Sequence, residues 1–92
     1  MKYRFDFSEA KNLILKELRG VGFEEVIEVI KKGDVLNDID HFNKKRYPNQ
    51  RILILEINSR IYAVPYVIDR LKKTKFLKTI YPSDRLRKKY IK

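Results

Sequence analysis

Two β-rich runs, Arg51 to Ile57 and Arg60 to Ile68, are separated only by Asn58-Ser59. Period-two runs flanking a two-residue linker leave few options besides a tight hairpin, although Ser suits the second turn position less well than Gly. With that turn, Ile57 pairs with Arg60, Leu55 with Tyr62, Leu53 with Val64 and Arg51 with Tyr66. Two chemically different faces result. One carries Ile52, Ile54, Ile61, Ala63 and Val67, with Glu56 near its end. The other carries Arg51, Leu53, Leu55, Arg60, Tyr62, Val64 and Tyr66. The small apolar groups of the first suit packing under helices, so the second is expected to look outward. There, tyrosine rings and guanidinium groups stack bases and hold phosphates. The competing reading is that Tyr62 and Tyr66 only cover the sheet edge, with their hydroxyls in water. A slip of one residue would exchange the faces, and Pro65, which lacks a ladder donor, implies a bulge or an edge position.

The rest of the pattern frames this hairpin. Lys2 to Asp6 alternates as a short opening strand, with Tyr3, Phe5 and Phe7 on one side. Ser8 is a good N-cap for a helix from about Glu9 to Leu18, expected to bury Ala10, Leu13, Ile14 and Leu18; Gly20-Val21-Gly22 stops it. A second helix places Phe23, Val26, Ile27 and Ile30 on one face, with Glu24, Glu25 and Glu28 outside, and stops at Gly33. A short strand near Val35 to Ile39 and a charged loop through Asn43-Lys44-Lys45-Arg46 precede the hairpin. A strand over Lys75 to Tyr81 and a Ser83-capped helix from Asp84 to Ile91 follow it. The expected fold is therefore α+β, in the order β-α-α-β-β-β(-β)-α, with an antiparallel sheet and helices on one face. The 92 residues suit a single domain, 1–92.

Charge narrows the function. Residues 1–50 hold 10 basic and 9 acidic side chains, whereas residues 51–92 hold 12 basic and 3 acidic. A net +9 confined to one half makes a directional field that attracts a polyanion or an acidic protein, whereas solubility alone does not require such asymmetry. With no cysteine and one histidine, a disulfide scaffold and a Cys-based zinc site are excluded. Asp38-Ile39-Asp40-His41 is the nearest approach to a ligand cluster and reads better as a turn, so neither metal nor cofactor is expected. Gly-rich phosphate loops and Ser/His/Asp signatures are missing. Apolar runs are too short for a membrane span, and the opening Met1-Lys2-Tyr3-Arg4-Phe5-Asp6 is unlike a secretory leader, so a cytoplasmic protein without membrane partners is expected.

One reaction suits this residue set: metal-independent RNA cleavage, in which the 2′-OH attacks the adjacent phosphate. It needs a group to take the hydroxyl proton, another to protonate the leaving oxygen, and cations to stabilise the added charge. His41 is a proton carrier at neutral pH. Arg51, Lys78 and Arg85 supply charge, and Tyr81 and Glu56 are reserve proton carriers that need shifted pKa values. Tyr62, Tyr66 and Arg60 on the sheet, with Arg87 and Lys88 on the last helix, are the expected RNA contacts. Taken singly, each basic residue is also an ordinary solvated side chain.

Four segments resemble the BrnT-like toxins of type II toxin-antitoxin modules. Phe7-Ser8-Glu9-Ala10-Lys11 is similar to the family's opening aromatic, Asp, two residues, Lys. Gly20-Val21-Gly22-Phe23-Glu24-Glu25 resembles its Gly-Val-x-Phe-Glu-Glu. A strand hairpin follows in both, and Thr79-Ile80-Tyr81-Pro82-Ser83, leading to Arg85, Arg87, Lys88, Lys89 and Tyr90, is similar to the closing strand, turn and basic helix. Ser8 stands where the family usually has Asp, Arg19 where it often has His, and Asp84 near the place of its Arg. The resemblance implies a ribonuclease toxin of RelE-like architecture that inhibits translation and is neutralised by a small ribbon-helix-helix DNA-binding antitoxin. The alternative from the residues alone is a non-catalytic RNA- or DNA-binding module.

Overall fold

The computed structural model describes residues 3–90. Its order is β1 (Arg4–Phe7), α1 (Glu9–Arg19), α2 (Phe23–Lys31), β2 (Asn37–Asp40), β3 (Gln50–Ile57), β4 (Arg60–Asp69), β5 (Thr74–Leu77), β6 (Tyr81–Pro82) and α3 (Asp84–Tyr90). The α+β class is as expected. Lys2 and Ile91, the outer limits of the expected first strand and last helix, lie outside the described residues.

The hairpin forms in the expected register, with Ile57 opposite Arg60, Leu55 opposite Tyr62, Leu53 opposite Val64 and Arg51 opposite Tyr66. Asn58 and Ser59 both adopt positive φ, 53° and 65°, which matches the twist of a two-residue turn to that of its strands. Pro65 causes neither a bulge nor an edge. Its carbonyl accepts the Lys78 N–H at 2.8 Å, and a residue's N and C=O point to the same side of a strand. The missing donor therefore falls between the end of β5 and the start of β6, and the β3–β4 ladder loses nothing.

Around this hairpin the strands run β1-β5-β4-β3-β2, with β6 pairing separately with β4. β1 is parallel to β5, so the sheet is mixed and not antiparallel throughout. The single expected strand over Lys75 to Tyr81 is broken in two, because β4 changes partner from β5 to β6 at Pro65.

The helices lie on both faces, which corrects the one-sided arrangement. Leu53, Leu55, Ile57, Tyr62, Val64 and Tyr66 face α1 and α2 and pack with Leu15, Val21, Phe23 and Val26 in the larger core. Phe7 of β1 stacks on Phe23 at 5.0 Å. On the opposite, outer face, Ile52, Ile54, Ile61 and Ala63 form a smaller core under Leu86 and Tyr90 of α3, with Tyr81 and Ile39 at its margins. Burial on two sides explains why so short a hairpin carries apolar residues at both parities.

Ser8 caps α1 by accepting the Lys11 N–H at 3.2 Å, and Gly20 ends the helix at φ +72°. The phase of α1 differs from that expected. Asn12 and Leu15 are buried, while Ala10, Leu13, Ile14 and Leu18 are exposed. The cause is the α1–α2 corner. Asn12 Oδ1 accepts the Phe23 N–H at 2.7 Å and Asn12 Nδ2 donates to Glu24 Oε2 at 2.9 Å, so the polar side of α1 must turn inward to cap α2. Gly22 permits the approach, since a Cβ there would lie 2.6 Å from Lys16 Cε and 2.8 Å from Asn12 Oδ1. Among the described residues no helix is long and apolar enough to cross a membrane.

Candidate nucleic-acid interface

α3 covers only part of the outer face. Beyond it, successive strands present Val67 and Asp69 of β4, Thr74 and Phe76 of β5, and Arg4 and Asp6 of β1. With Lys72 and Lys78 these side chains line one open hollow. Phe76 is half-buried, and Lys78 Nζ lies 5.9 Å from its ring centroid, so an apolar plane is presented beside a cation. The two carboxylates of the hollow are occupied locally. Asp6 Oδ1 accepts the Phe7 N–H at 2.8 Å, and Asp69 Oδ1 accepts those of Leu71 and Lys72 at 3.1 and 3.0 Å, folding the β4–β5 turn that carries Lys72.

The second part of the region is built by the β2–β3 loop and α3. His41 and Tyr47 rings lie 4.6 Å apart, and His41 and Phe42 rings 6.5 Å apart. Arg85 sits over the Phe42 ring at 5.9 Å, and Arg46 over Tyr47 at 5.5 Å. The loop is held from within: Asn43 N–H donates to His41 Nδ1 at 3.0 Å, Arg46 N–H to Asn43 Oδ1 at 3.2 Å, and Tyr47 N–H to the Asn43 carbonyl at 2.9 Å. The bond to Nδ1 needs a neutral ring, which leaves Nε2 as the proton-bearing nitrogen. Tyr81 is half-buried against the outer core; burial raises its pKa, partly offset by the charge of Arg85. At neutral pH it is a proton donor and not a base.

The sequence-predicted residues divide accordingly. Lys78, Arg85, Tyr81 and His41 belong to the outer face and its margins, and Arg87 and Lys88 are exposed on α3. Tyr62 and Tyr66, expected to stack bases, are 4% and 1% exposed beneath α1 and α2. Their assignment to an outward face is corrected. α1 and α2 pack on the larger Leu/Tyr face, and the smaller Ile/Ala face lies under the single short helix α3. Arg60 is exposed beside the hairpin turn. Glu56 is exposed there too, sharing a shallow hollow with Glu25, Glu28 and Lys32.

Arg51 belongs neither to the hollow that holds Lys78 nor to the cluster around Arg85. It lies on the inner-face parity, where Nε donates to Asp38 Oδ1 at 3.0 Å, one terminal nitrogen to Asp40 Oδ1 at 2.7 Å and the other to the Asp38 carbonyl at 2.9 Å. The hydrogen bond to Asp38 holds its pKa above the usual guanidinium value. Its charge is committed to tying β2 to β3. Sequence reasoning missed Arg4, Lys72, Phe76 and the Phe42–Tyr47 pair. Phe76 was findable, because a lone aromatic between Lys75 and Lys78 alternates with the buried Leu77; the position of Arg4 depends on the parallel β1–β5 pairing, which no local pattern announces.

Among the described residues no three His, Cys, Asp or Glu side chains are gathered to hold a metal ion. Comparisons with protein-family models, curated proteins and solved structures yield no match.

Proposed function

We propose that this protein is a small basic ribonuclease toxin that binds single-stranded RNA on the outer face of its sheet. The observation that carries this reading is the hollow beyond α3, which Arg4, Lys72 and Lys78 line together with Phe76 while the two carboxylates there are bonded to backbone N–H groups. Such a surface attracts a phosphate chain and offers a base a plane. Lys78 and Arg85 stabilise negative charge on the phosphate, His41 takes the 2′-hydroxyl proton on Nδ1 once the Asn43 N–H releases that nitrogen, and Tyr81 protonates the leaving 5′ oxygen. The products are a 2′,3′-cyclic phosphate and a 5′-hydroxyl. Cleavage of messenger RNA in the cytoplasm inhibits translation. A cognate ribbon-helix-helix antitoxin neutralises the protein by laying an acidic segment along the same face, an association weakened by salt.

The test is twofold. Expression in a bacterium arrests growth, with relief by Lys78→Ala or Arg85→Ala. Purified protein cuts RNA in the presence of a chelator and leaves cyclic phosphate ends. Undiminished growth together with uncut RNA defeats the reading. The second reading, a non-catalytic RNA- or DNA-binding module, is favoured by the pairing of Arg51 with Asp38 and Asp40, which removes one cation from the expected catalytic set. Salt-sensitive binding of RNA without cuts supports it.

A further inference from the structure

The β2–β3 loop carries a feature that phosphate binding does not explain. Phe42 is 57% exposed although it is a large apolar side chain. Its ring has the Arg85 guanidinium at 5.9 Å on α3 and the His41 ring at 6.5 Å on its own loop. His41 in turn packs on Tyr47 at 4.6 Å, and Arg46 covers Tyr47 at 5.5 Å. Three aromatic rings and two guanidinium groups thus form a continuous chain of π-faces at the margin of the outer face. An exposed ring costs hydration free energy that a surface loop ordinarily avoids by using polar residues. The hydrogen bonds from Asn43 to His41 and from Arg46 and Tyr47 to Asn43 hold the chain in place, so the rings are ordered before any ligand arrives.

We infer that Phe42, supported by His41, Tyr47, Arg46 and Arg85, is a nucleobase-stacking site that selects single-stranded RNA over duplex. This deepens, and rests on, the RNA-binding reading above. A base splayed from a single strand lies against the Phe42 ring while Arg85 and Arg46 hold the flanking phosphates. A paired base keeps both of its faces inside the duplex stack and cannot reach the ring. Stacking tolerates any base, so this site contributes strandedness and affinity, not sequence choice.

The test compares three fluorescent probes of equal length by anisotropy: a single-stranded RNA, the same RNA annealed to its complement, and an abasic oligonucleotide with the sugar-phosphate chain alone. Phe42→Ala should weaken binding of the single strand roughly 5- to 150-fold, leave the abasic probe unaffected and narrow the preference over duplex. Phe42→Tyr, which keeps the ring, should retain tight binding. Circular dichroism spectra matching the parent's exclude misfolding, which would weaken all three probes together. Equal affinity of parent and Phe42→Ala for the single strand, or equal losses on RNA and abasic chain, overturns the stacking site and leaves RNA binding standing. Failure of the parent to bind any RNA overturns both.

Discussion

The hydroxyl of Tyr66, on the central strand β4, donates to the Asp38 carboxylate on the edge strand β2, with Oδ1 and Oδ2 at 2.9 and 2.8 Å. The same carboxylate accepts from Arg51 Nε on β3. Three strands are thereby clamped by one acidic side chain, and Lys75 Nζ lies 5.7 Å from the Tyr66 ring centroid. Asp38→Ala leaves both the phenol and the guanidinium without this partner and should cost about 1–3 kcal/mol, read by urea denaturation.

Burial, followed by the bond to Asp38, pushes the Tyr66 pKa above the ordinary tyrosine value of 10.0. Because the folded value is the higher one, the contribution to stability is complete below pH 10 and is lost progressively as the pH rises beyond it. Alkaline unfolding should therefore set in above pH 10. Tyr66→Phe should flatten that limb, and an ultraviolet tyrosinate titration of the folded parent should show Tyr66 and Tyr81 ionising later than in the unfolded chain.

Arg51→Ala should lower stability by about 1 kcal/mol while leaving the salt dependence of RNA binding unchanged. Lys78→Ala and Arg85→Ala should do the reverse, each flattening the log-log salt slope by about 0.7 with little loss of stability. Salt titrations of a fluorescent single-stranded RNA, paired with thermal melts, separate the two classes. A flattened slope for Arg51→Ala would place it in the interface.

At the α1–α2 corner, Gly22→Ala should destabilise by about 1–3 kcal/mol, because the new methyl displaces Lys16 or Asn12. Asn12→Ala should cost about 1–3 kcal/mol, since the Phe23 N–H loses its buried acceptor. The bond from Asn12 Nδ2, the backbone N–H of Glu24 and the Lys16 ammonium hold the Glu24 carboxyl below its ordinary 4.5. Its contribution is accordingly present above pH 4.5 and fades as acid protonates it. Thermal melts of the two variants across acid pH check the corner.

The features legible in the sequence are those set by near neighbours. Asn58-Ser59 specifies the turn, and the turn fixes the register of every pair from Gln50–Val67 to Ile57–Arg60. Ser8, Gly20 and Ser83 mark helix ends for local reasons. The side of α1 that is buried was not legible, because Leu13, Ile14 and Leu18 form the better apolar stripe while Asn12 is drawn inward by the amide of Phe23, which belongs to another helix. The sheet faces are ambiguous for a similar reason: both parities of the hairpin are apolar, and only the positions of α1 and α2 decide that Tyr62 and Tyr66 are covered. Lys78, Arg85, Tyr81 and His41 could be selected by chemistry. The pairing of Arg51 with Asp38 and Asp40 depends on β2 lying beside β3, which the weak pattern at Asn37–Asp40 scarcely signals.

Amide and side-chain NMR of the isotope-labelled protein, titrated with a short single-stranded RNA, tests most directly where RNA sits. Binding on the outer face shifts Arg4, Lys72, Phe76, Lys78 and Arg85 and leaves Leu15, Val26 and Tyr62, beneath the other two helices, unmoved. Shifts centred on α1 and α2, or none at saturating RNA, would contradict it.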